Sequence, residues 1–133
     1  MAQEALVLSP QANASLLSGA STTVEIERGT PQRSTDELQE TSLLIGLTSC
    51  PDGECSPASF LGLGQVLFNG VFDPQTDPNQ PAKGMFQDFL VTIPSDFPQG
   101  EAILTIFHVI MDGPPGGTLI PLFDGTNIVV NIV

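Results

Sequence analysis

The sequence predicts an all-β protein, an antiparallel β-sandwich of seven to nine strands. Short runs rich in β-branched residues are separated by clusters of Pro, Gly, Asn, Asp and Ser, the regular punctuation of strands and turns in such sandwiches. Helical periodicity is nearly absent. The 133 residues suit one domain, 1–133, with neither an internal repeat nor a linker. A domain of this size can bury roughly two-thirds of the surface that its unfolded chain exposes.

The predicted strands lie between turn signals, and segment 22–28 shows the alternation most clearly. Val24 and Ile26 point to one side of this strand. Glu25 and Glu27 point to the other side, which predicts one wet face. The other strands are predicted over 5–9, 41–48, 64–68, 86–93, 101–111 and, as one or two strands, 118–133.

Three polar segments are predicted to be loops. They are 29–40, 50–55 and 73–84. Three prolines keep 73–84 out of any central strand, because proline lacks the backbone N–H of a sheet ladder. Asn69-Gly70 favours a tight hairpin turn, and Asp124-Gly125 is expected to break the closing segment.

The two cysteines are close together, in Cys50-Pro51-Asp52-Gly53-Glu54-Cys55. Pro-Asp-Gly is a strong turn tripeptide that folds the chain back, which favours a local disulfide between Cys50 and Cys55. Such a small closed loop contributes about 2 kcal/mol to stability. A zinc site is the alternative, but it needs two further good ligands. A disulfide implies an oxidising compartment.

Export is also indicated by Asn13-Ala14-Ser15, the one N-glycosylation sequon of the chain, which makes Asn13 a candidate acceptor. Residues 1–4 have no basic or long apolar region, so we expect Met1 to be an expression start that replaces a removed signal peptide. No apolar stretch approaches the ~20 residues of a membrane span. The predicted location is secreted, extracellular or in a cell wall.

His108 is the only histidine, and it lies in the predicted strand 101–111. Alternation places it on one face with the apolar residues Leu104, Ile106 and Ile110. A Ser–His–Asp triad can be imagined in any chain rich in Ser and Asp, but no G-x-S-x-G nucleophile elbow accompanies this histidine. We therefore predict a hydrogen-bonded structural histidine and no catalytic residue.

Carboxylates in the predicted loops are candidates for two kinds of site. Asp73 and Asp77 are weak candidates for calcium ligands, because extracellular β-sandwiches can bind this ion in such loops. Their spacing matches no EF-hand, so a solvated loop is favoured. Asp52 and Glu54 share one small loop and lack the facing geometry of a glycosidase pair. We predict neither a metal nor a cofactor.

Charge and aromatic content narrow the range of partners. The chain has 3 Lys and Arg against 15 Asp and Glu, a net charge of −12, so nucleic acid and anionic membranes are poor partners. Only 14% of the residues are charged and 41% are hydrophobic, which does not indicate disorder. The eight Phe, without any Trp or Tyr, are expected to pack the core, and a flat sugar-binding platform is not expected.

Several stretches together resemble small secreted fungal proteins. They are LSP at 8–10, SG at 18–19, TVEI at 23–26, CPDGEC at 50–55, VTIP at 91–94 and FPQGEA at 97–102. The chain resembles the necrosis-inducing secreted protein family and, more loosely, immunoglobulin-like domains of fungal cell-wall and anchored surface proteins. The resemblance implies an immunoglobulin-like or fibronectin-III-like β-sandwich without catalytic residues. Plant-pathogen members of the family act as effectors that bind host immune receptor kinases.

The function predicted from these features is that of a secreted, non-enzymatic, effector-like protein. Its acidic loops 29–40, 50–55 and 73–84 would bind a protein partner, such as a host or cell-surface receptor. One alternative is a structural or adhesive component of the cell wall or surface that forms a weak homo-oligomer through an exposed strand edge. A second alternative is a glycan-binding module, which the lack of Trp and Tyr disfavours.

Overall fold

The computed structural model describes residues 5–28, 37–55 and 64–133, and it confirms the predicted all-β sandwich. The strands of these residues are β1 Leu6–Ser9, β2 Ser15–Leu16, β3 Ser21–Glu27, β4 Glu37–Ser49, β5 Gln65–Gly70, β6 Phe86–Thr92, β7 Gly100–Gly113 and β8 Ile120–Ile132. A 3-10 turn, Pro51–Gly53, lies between β4 and β5.

Two sheets form the sandwich. The small sheet has the strand order β1-β3-β6, and the large sheet has the order β2-β8-β7-β4-β5. This is the immunoglobulin arrangement, in which β1, β3 and β6 correspond to strands A, B and E, and β4, β7 and β8 to strands C, F and G. The described pairs are antiparallel except for β2 and β8, which run parallel over Ser15 and Leu16.

The core lies between the inner faces of the two sheets. Val24 and Ile26 of β3 are fully buried, while Glu25 and Glu27 lie on the outer face, as the alternation predicts. The residues that meet them from β4, β6 and β7 are Leu43, Ile45, Leu47, Phe89, Val91, Leu104 and Ile106. On β3, the two-residue alternation therefore determines whether a side chain faces the core or the solvent.

Two dipeptides that were predicted to end strands lie within strands. Asn69 and Gly70 are the last residues of β5, where both pair with β4. Asp124-Gly125 lies in the middle of β8, which continues without a break because each of its residues pairs with β7. In both places a neighbouring strand supplies hydrogen-bond partners, and this tertiary context outweighs the local turn preference.

The predicted loop 29–40 is partly strand. Residues 37–40 belong to β4 and pair with the last residues of β7, from Ile110 to Gly113. The prediction was wrong for these four residues because β7 extends far enough to pair with a polar segment. The remaining part of the loop, 29–36, lies outside the described residues.

The other two predicted loops lie at opposite ends of the sandwich. Loop 50–55 follows the C-terminal end of β4, where the N–H of Cys55 donates to Glu101 at the start of β7. Loop 73–84 precedes β6 at the other end, where the N–H of Gly84 donates to a carboxylate oxygen of Glu27. These two loops therefore cannot form one continuous surface.

Candidate functional site

A histidine and two carboxylates form a buried cluster on the inner face of the large sheet. The Nδ1 atom of His108 is 3.1 Å from Glu40 Oε1, and its Nε2 atom is 3.2 Å from Asp124 Oδ2. The side chain of His108 has no exposed surface, Glu40 exposes 4% and Asp124 exposes 18%. The N–H of Ala5 also donates to Asp124 Oδ2. The predicted hydrogen-bonded histidine is therefore present, with a carboxylate on each side.

The register of three strands brings these side chains to one face. His108 and Asp124 are direct cross-strand partners in β7 and β8. Thr41 is an extra residue, a β-bulge, in β4, so that Glu40 pairs with Ile110. Ile110 lies two residues from His108 and on the same side of β7, which places Glu40 on that side as well. In a regular register Glu40 would turn to the outer face.

The two carboxylates raise the pKa of His108. Burial of the ring is the largest single influence and acts to lower the pKa, because it disfavours the charged imidazolium. Hydrogen bonds and charge attraction from Glu40, and then from Asp124, together outweigh burial and raise the pKa above its ordinary value of 6.5. The folded protein therefore holds this proton more tightly than the unfolded chain.

This cluster is arranged to connect strands rather than to meet a ligand. Both ring nitrogens of His108 are engaged, and the ring meets Phe72 edge to face with centroids 6.4 Å apart. The ring has no exposed surface with which to contact a substrate. Among the described residues, Glu40 Oε2 is buried without a hydrogen-bond partner, so the cluster depends strongly on the charge of His108.

The outer face of the large sheet, on the other side of the same strands, carries no charged side chain over its central part. The outward residues within 39–48, 103–111 and 121–129 are all apolar or neutral, although the chain has a net charge of −12. The apolar residues at the centre of this surface, which we call the aromatic face, are Leu44, Phe107, Val109, Met111, Pro121 and Phe123. Such an apolar surface is typical of an interaction site.

Two phenylalanines form the centre of the aromatic face. The rings of Phe107 and Phe123 are nearly parallel, with 19° between their planes and 6.3 Å between their centroids. Phe123 exposes 68% of its surface, and Phe107 is half-buried. Gly125 is the cross-strand partner of Phe107, so the phenyl ring packs over a residue that has no side chain. The prediction that the phenylalanines pack the core is wrong for these two, which lie on the outer face of the sheet.

Neutral polar groups surround the aromatic face. Gln39, Ser42 and Asn69 are exposed, and Asn127 is half-buried, on the same side of the sheet. These side chains make no hydrogen bond to other described residues, so their amide and hydroxyl groups are available to a ligand. An apolar centre with a few polar groups around it suits an uncharged ligand.

The outer face of the small sheet is charged instead. Glu25 of β3 is the cross-strand partner of Asp88 of β6, and Lys83 Nζ lies 3.0 Å from Glu25 Oε1. Lys83 also lies over the ring of Phe86, 3.8 Å from its centroid. Partial burial, together with the hydrogen bond and the repulsion of Glu25, raises the pKa of Asp88, and Lys83 opposes the rise. This surface is the wet, acidic face that the alternation predicted.

The predicted disulfide joins Cys50 and Cys55, whose Cα atoms are 5.1 Å apart. Asp52 and Gly53 adopt positive φ angles of 56° and 72°, and this tight turn brings the cysteines together. The N–H groups of Cys50 and Cys55 donate to the carbonyl and the carboxylate of Glu101, at 3.2 and 2.8 Å. The disulfide is consistent with an oxidising, extracellular location. Among the described residues, no helix is both long and apolar enough to cross a membrane.

Asp73 and Asp77, the weak calcium candidates, use their carboxylates in local hydrogen bonds. Asp73 Oδ1 accepts from Gln75 Nε2 at 3.0 Å. Asp77 accepts from the backbone N–H of Asn79 and from Gln80 Nε2, both at 2.9 Å. No group of three or more His, Cys, Asp or Glu is placed to hold a metal ion in the described part of the chain. Hydrogen bonds within this loop therefore explain the presence of both carboxylates.

Asn13, the predicted glycosylation acceptor, is exposed in the turn between β1 and β2. Its backbone N–H donates to the carbonyl of Val129 in β8, at 2.6 Å. This turn lies at the edge of the large sheet and is separate from both the buried cluster and the disulfide.

No family model and no curated protein matches the chain. Among solved structures, it is similar to the crystal structure of a cellulose-active polysaccharide monooxygenase from M. thermophila, with a TM-score of 0.49 and 14% sequence identity. The match covers 92% of this chain and 54% of the other, so the chain spans about half the length of that protein. At this identity the similarity concerns the fold alone.

The predicted effector function, in which three acidic loops bind one protein partner, is corrected by the placement of those loops. The described loops 50–55 and 73–84 lie at opposite ends of the sandwich, and Glu40 from the third predicted loop is buried. The acidic binding surface that the prediction required is therefore not formed by these parts. The resemblance to necrosis-inducing secreted proteins stays a prediction.

Proposed function

We propose that the chain is an extracellular module that binds a neutral polysaccharide through the aromatic face of its large sheet. The observation that supports this best is the pair of nearly parallel rings, Phe107 and Phe123, on a sheet surface without charged side chains. The faces of aromatic rings are electron-rich, and they attract the weakly positive C–H groups on the flat sides of sugar rings.

The shape of the surface suits a chain-like ligand. Leu44, Phe107, Val109, Met111, Pro121 and Phe123 lie on three adjacent strands, so they form an extended apolar strip rather than an enclosed pocket. Exposed Gln39, Ser42 and Asn69 at the border of the aromatic face can exchange hydrogen bonds with sugar hydroxyls. An apolar strip bordered by neutral polar groups matches a ligand that has apolar ring faces and hydroxyl edges.

Charge favours this class of ligand over others. A net charge of −12 repels anionic polymers and anionic membranes. A neutral glycan needs no charge complementarity. The disulfide supports an extracellular setting, where structural polysaccharides are found.

Retention on insoluble polysaccharides tests the proposal. The chain is incubated with cellulose, insoluble β-1,3-glucan and chitin, and the bound fraction is measured over a range of protein concentrations. We expect retention on at least one of them and roughly a two- to tenfold loss of affinity in Phe123→Ala, since an aromatic contact is worth about 0.5–1.5 kcal/mol. Retention should not change between low and high salt, because no ion pair forms.

A matched control is available on the other sheet. Leu90 exposes 74% of its surface on the small sheet, so Leu90→Ala removes an equally exposed apolar side chain from the charged face. This variant should bind as the wild type does. Equal losses in Phe123→Ala and Leu90→Ala, or no retention on any neutral polysaccharide, would contradict the proposal.

A further inference from the structure

The turn that contains Asn13 is fixed by backbone hydrogen bonds while its side chain stays free. The N–H of Asn13 donates to Val129, at 2.6 Å, and the N–H of Asn131 donates to Ala14, at 2.8 Å. The N–H of Ala14 closes the turn on the carbonyl of Gln11, at 3.1 Å. The amide of the Asn13 side chain makes no hydrogen bond to any described residue and is exposed.

Backbone conformation alone can account for an asparagine at this position. Asn13 has a φ of 67°, in the left-handed region that Asn and Gly adopt more readily than other residues. It does not account for Ser15, whose exposed hydroxyl makes no hydrogen bond within the described residues. The hydroxyl two residues after an asparagine is the group that completes a glycosylation sequon.

We propose that Asn13 carries an N-linked oligosaccharide. The side-chain amide nitrogen of Asn13 forms a bond to C1 of the first sugar of a lipid-diphosphate oligosaccharide donor. The bond from C1 to the phosphate oxygen breaks, the lipid diphosphate leaves, and the amide gives up one proton. No electrons are transferred to an external acceptor, and an exposed acceptor in a turn fits the access that the transfer requires.

The glycan would be attached at the edge of the large sheet, away from the centre of the aromatic face. Asn13 is held at Val129, six residues along β8 from Phe123. At about 3.3 Å per residue, this separation is roughly 20 Å along the strand. The attachment point of the glycan is therefore separate from Phe123, the proposed centre of polysaccharide binding.

Expression with a heterologous signal peptide in a eukaryotic host tests the modification. This proposal rests on the proposed extracellular location. The added signal peptide supplies entry to the secretory pathway, so a failure of glycosylation is distinguished from a failure of polysaccharide binding. We expect the secreted chain to migrate with the mass of one added glycan. Peptide N-glycosidase should remove that mass and leave an aspartate at position 13 that peptide mass spectrometry detects.

Two variants separate the sequon from the turn. Asn13→Gly keeps a residue that adopts positive φ, and Ser15→Ala keeps Asn13 itself; each should lose the shift and still be secreted. Ser15→Thr keeps the hydroxyl and should retain the shift.

A positive control in the same chain is Pro81→Thr, which creates a sequon at the exposed Asn79 in the Asn13→Gly background. If this control is glycosylated while the secreted wild type is not, the proposal is wrong.

Discussion

The two sheets of this sandwich distribute charge in opposite ways. The small sheet is apolar inside, with Val24 and Ile26, and acidic outside, with Glu25 and Asp88. The large sheet carries titratable groups inside, around His108, and an uncharged aromatic surface outside. A net charge of −12 therefore says little about where a ligand binds. A net charge of either sign favours solubility, and the uncharged side is where the proposed neutral ligand would bind.

The largest effect is expected from removing the charge inside the large sheet. His108→Leu would leave Glu40 and Asp124 without their cationic partner, and breaking a buried ion pair in this way costs about 3–5 kcal/mol. Urea unfolding of the two proteins measures the difference. Ile106→Val on the same face of β7 is the control for packing alone and should cost about 0.5–1.5 kcal/mol. A loss for His108→Leu no greater than for this control would show that the cluster does not stabilise the sheet.

The pH dependence of stability tests the same cluster by removing the charge of His108 through titration. The pKa of His108 is raised in the folded state above its ordinary 6.5, so the resulting stabilisation is fully present below about that pH. It is lost as the pH rises through the raised pKa. The free energy of unfolding should therefore fall above pH 6.5, and the difference between wild type and His108→Gln should shrink over the same range. A difference that grows with pH would contradict the assigned protonation.

Adding charge to the outer faces should affect binding on one side only. Phe123→Glu places a carboxylate on the neutral surface of the large sheet, and we expect at least a tenfold loss of polysaccharide affinity, or about 1.4 kcal/mol. Leu90→Glu adds the same charge to the small sheet and should leave affinity unchanged. Retention assays measure both, and melting temperatures verify that each variant is folded. Loss of binding in Leu90→Glu would place the ligand on the acidic side.

The smallest effect on stability is expected from removing Lys83, the cation of the small sheet. Lys83 contacts Glu25 and the ring of Phe86 at a partly exposed site, so Lys83→Met should cost about 1 kcal/mol or less. The loss should shrink in high salt, because screening weakens the ion pair. Lys83→Arg keeps the charge and is the control. A loss of unfolding free energy as large as that of His108→Leu would mean that the cations of the two sheets contribute equally to stability.

Sequence reasoning succeeded where a strand has one dry and one wet face. On β3 the alternation of Val24 and Ile26 with Glu25 and Glu27 predicted both the strand and its orientation. The disulfide followed from the turn residues between Cys50 and Cys55. In each case the information is local, within a few residues of the feature.

It failed where the pattern is set by a neighbouring strand. Strand β7 has apolar residues on both of its faces, as the neighbours Ile103 and Leu104 illustrate. Its sequence alone therefore does not show which face lies against the core. The outward position of Phe107 and Phe123 follows only from the assembled sheet. Glu40 was assigned to a loop because a charged residue is unusual on the inner face of a strand. The alternation of inward and outward residues changes at Thr41, and this change is the signal that could have revealed the first part of β4.

The bulge at Thr41 has a consequence for changes in chain length. Because Thr41 is the unpaired residue, deleting it would leave Glu40 opposite Ile110 and pointing inward. Inserting one more residue beside it would shift the preceding part of β4 by one position and turn Glu40 outward. Strand β4 should therefore tolerate a shortening and not a lengthening at this point. A single inserted residue would move an acid from the protein interior to its neutral surface.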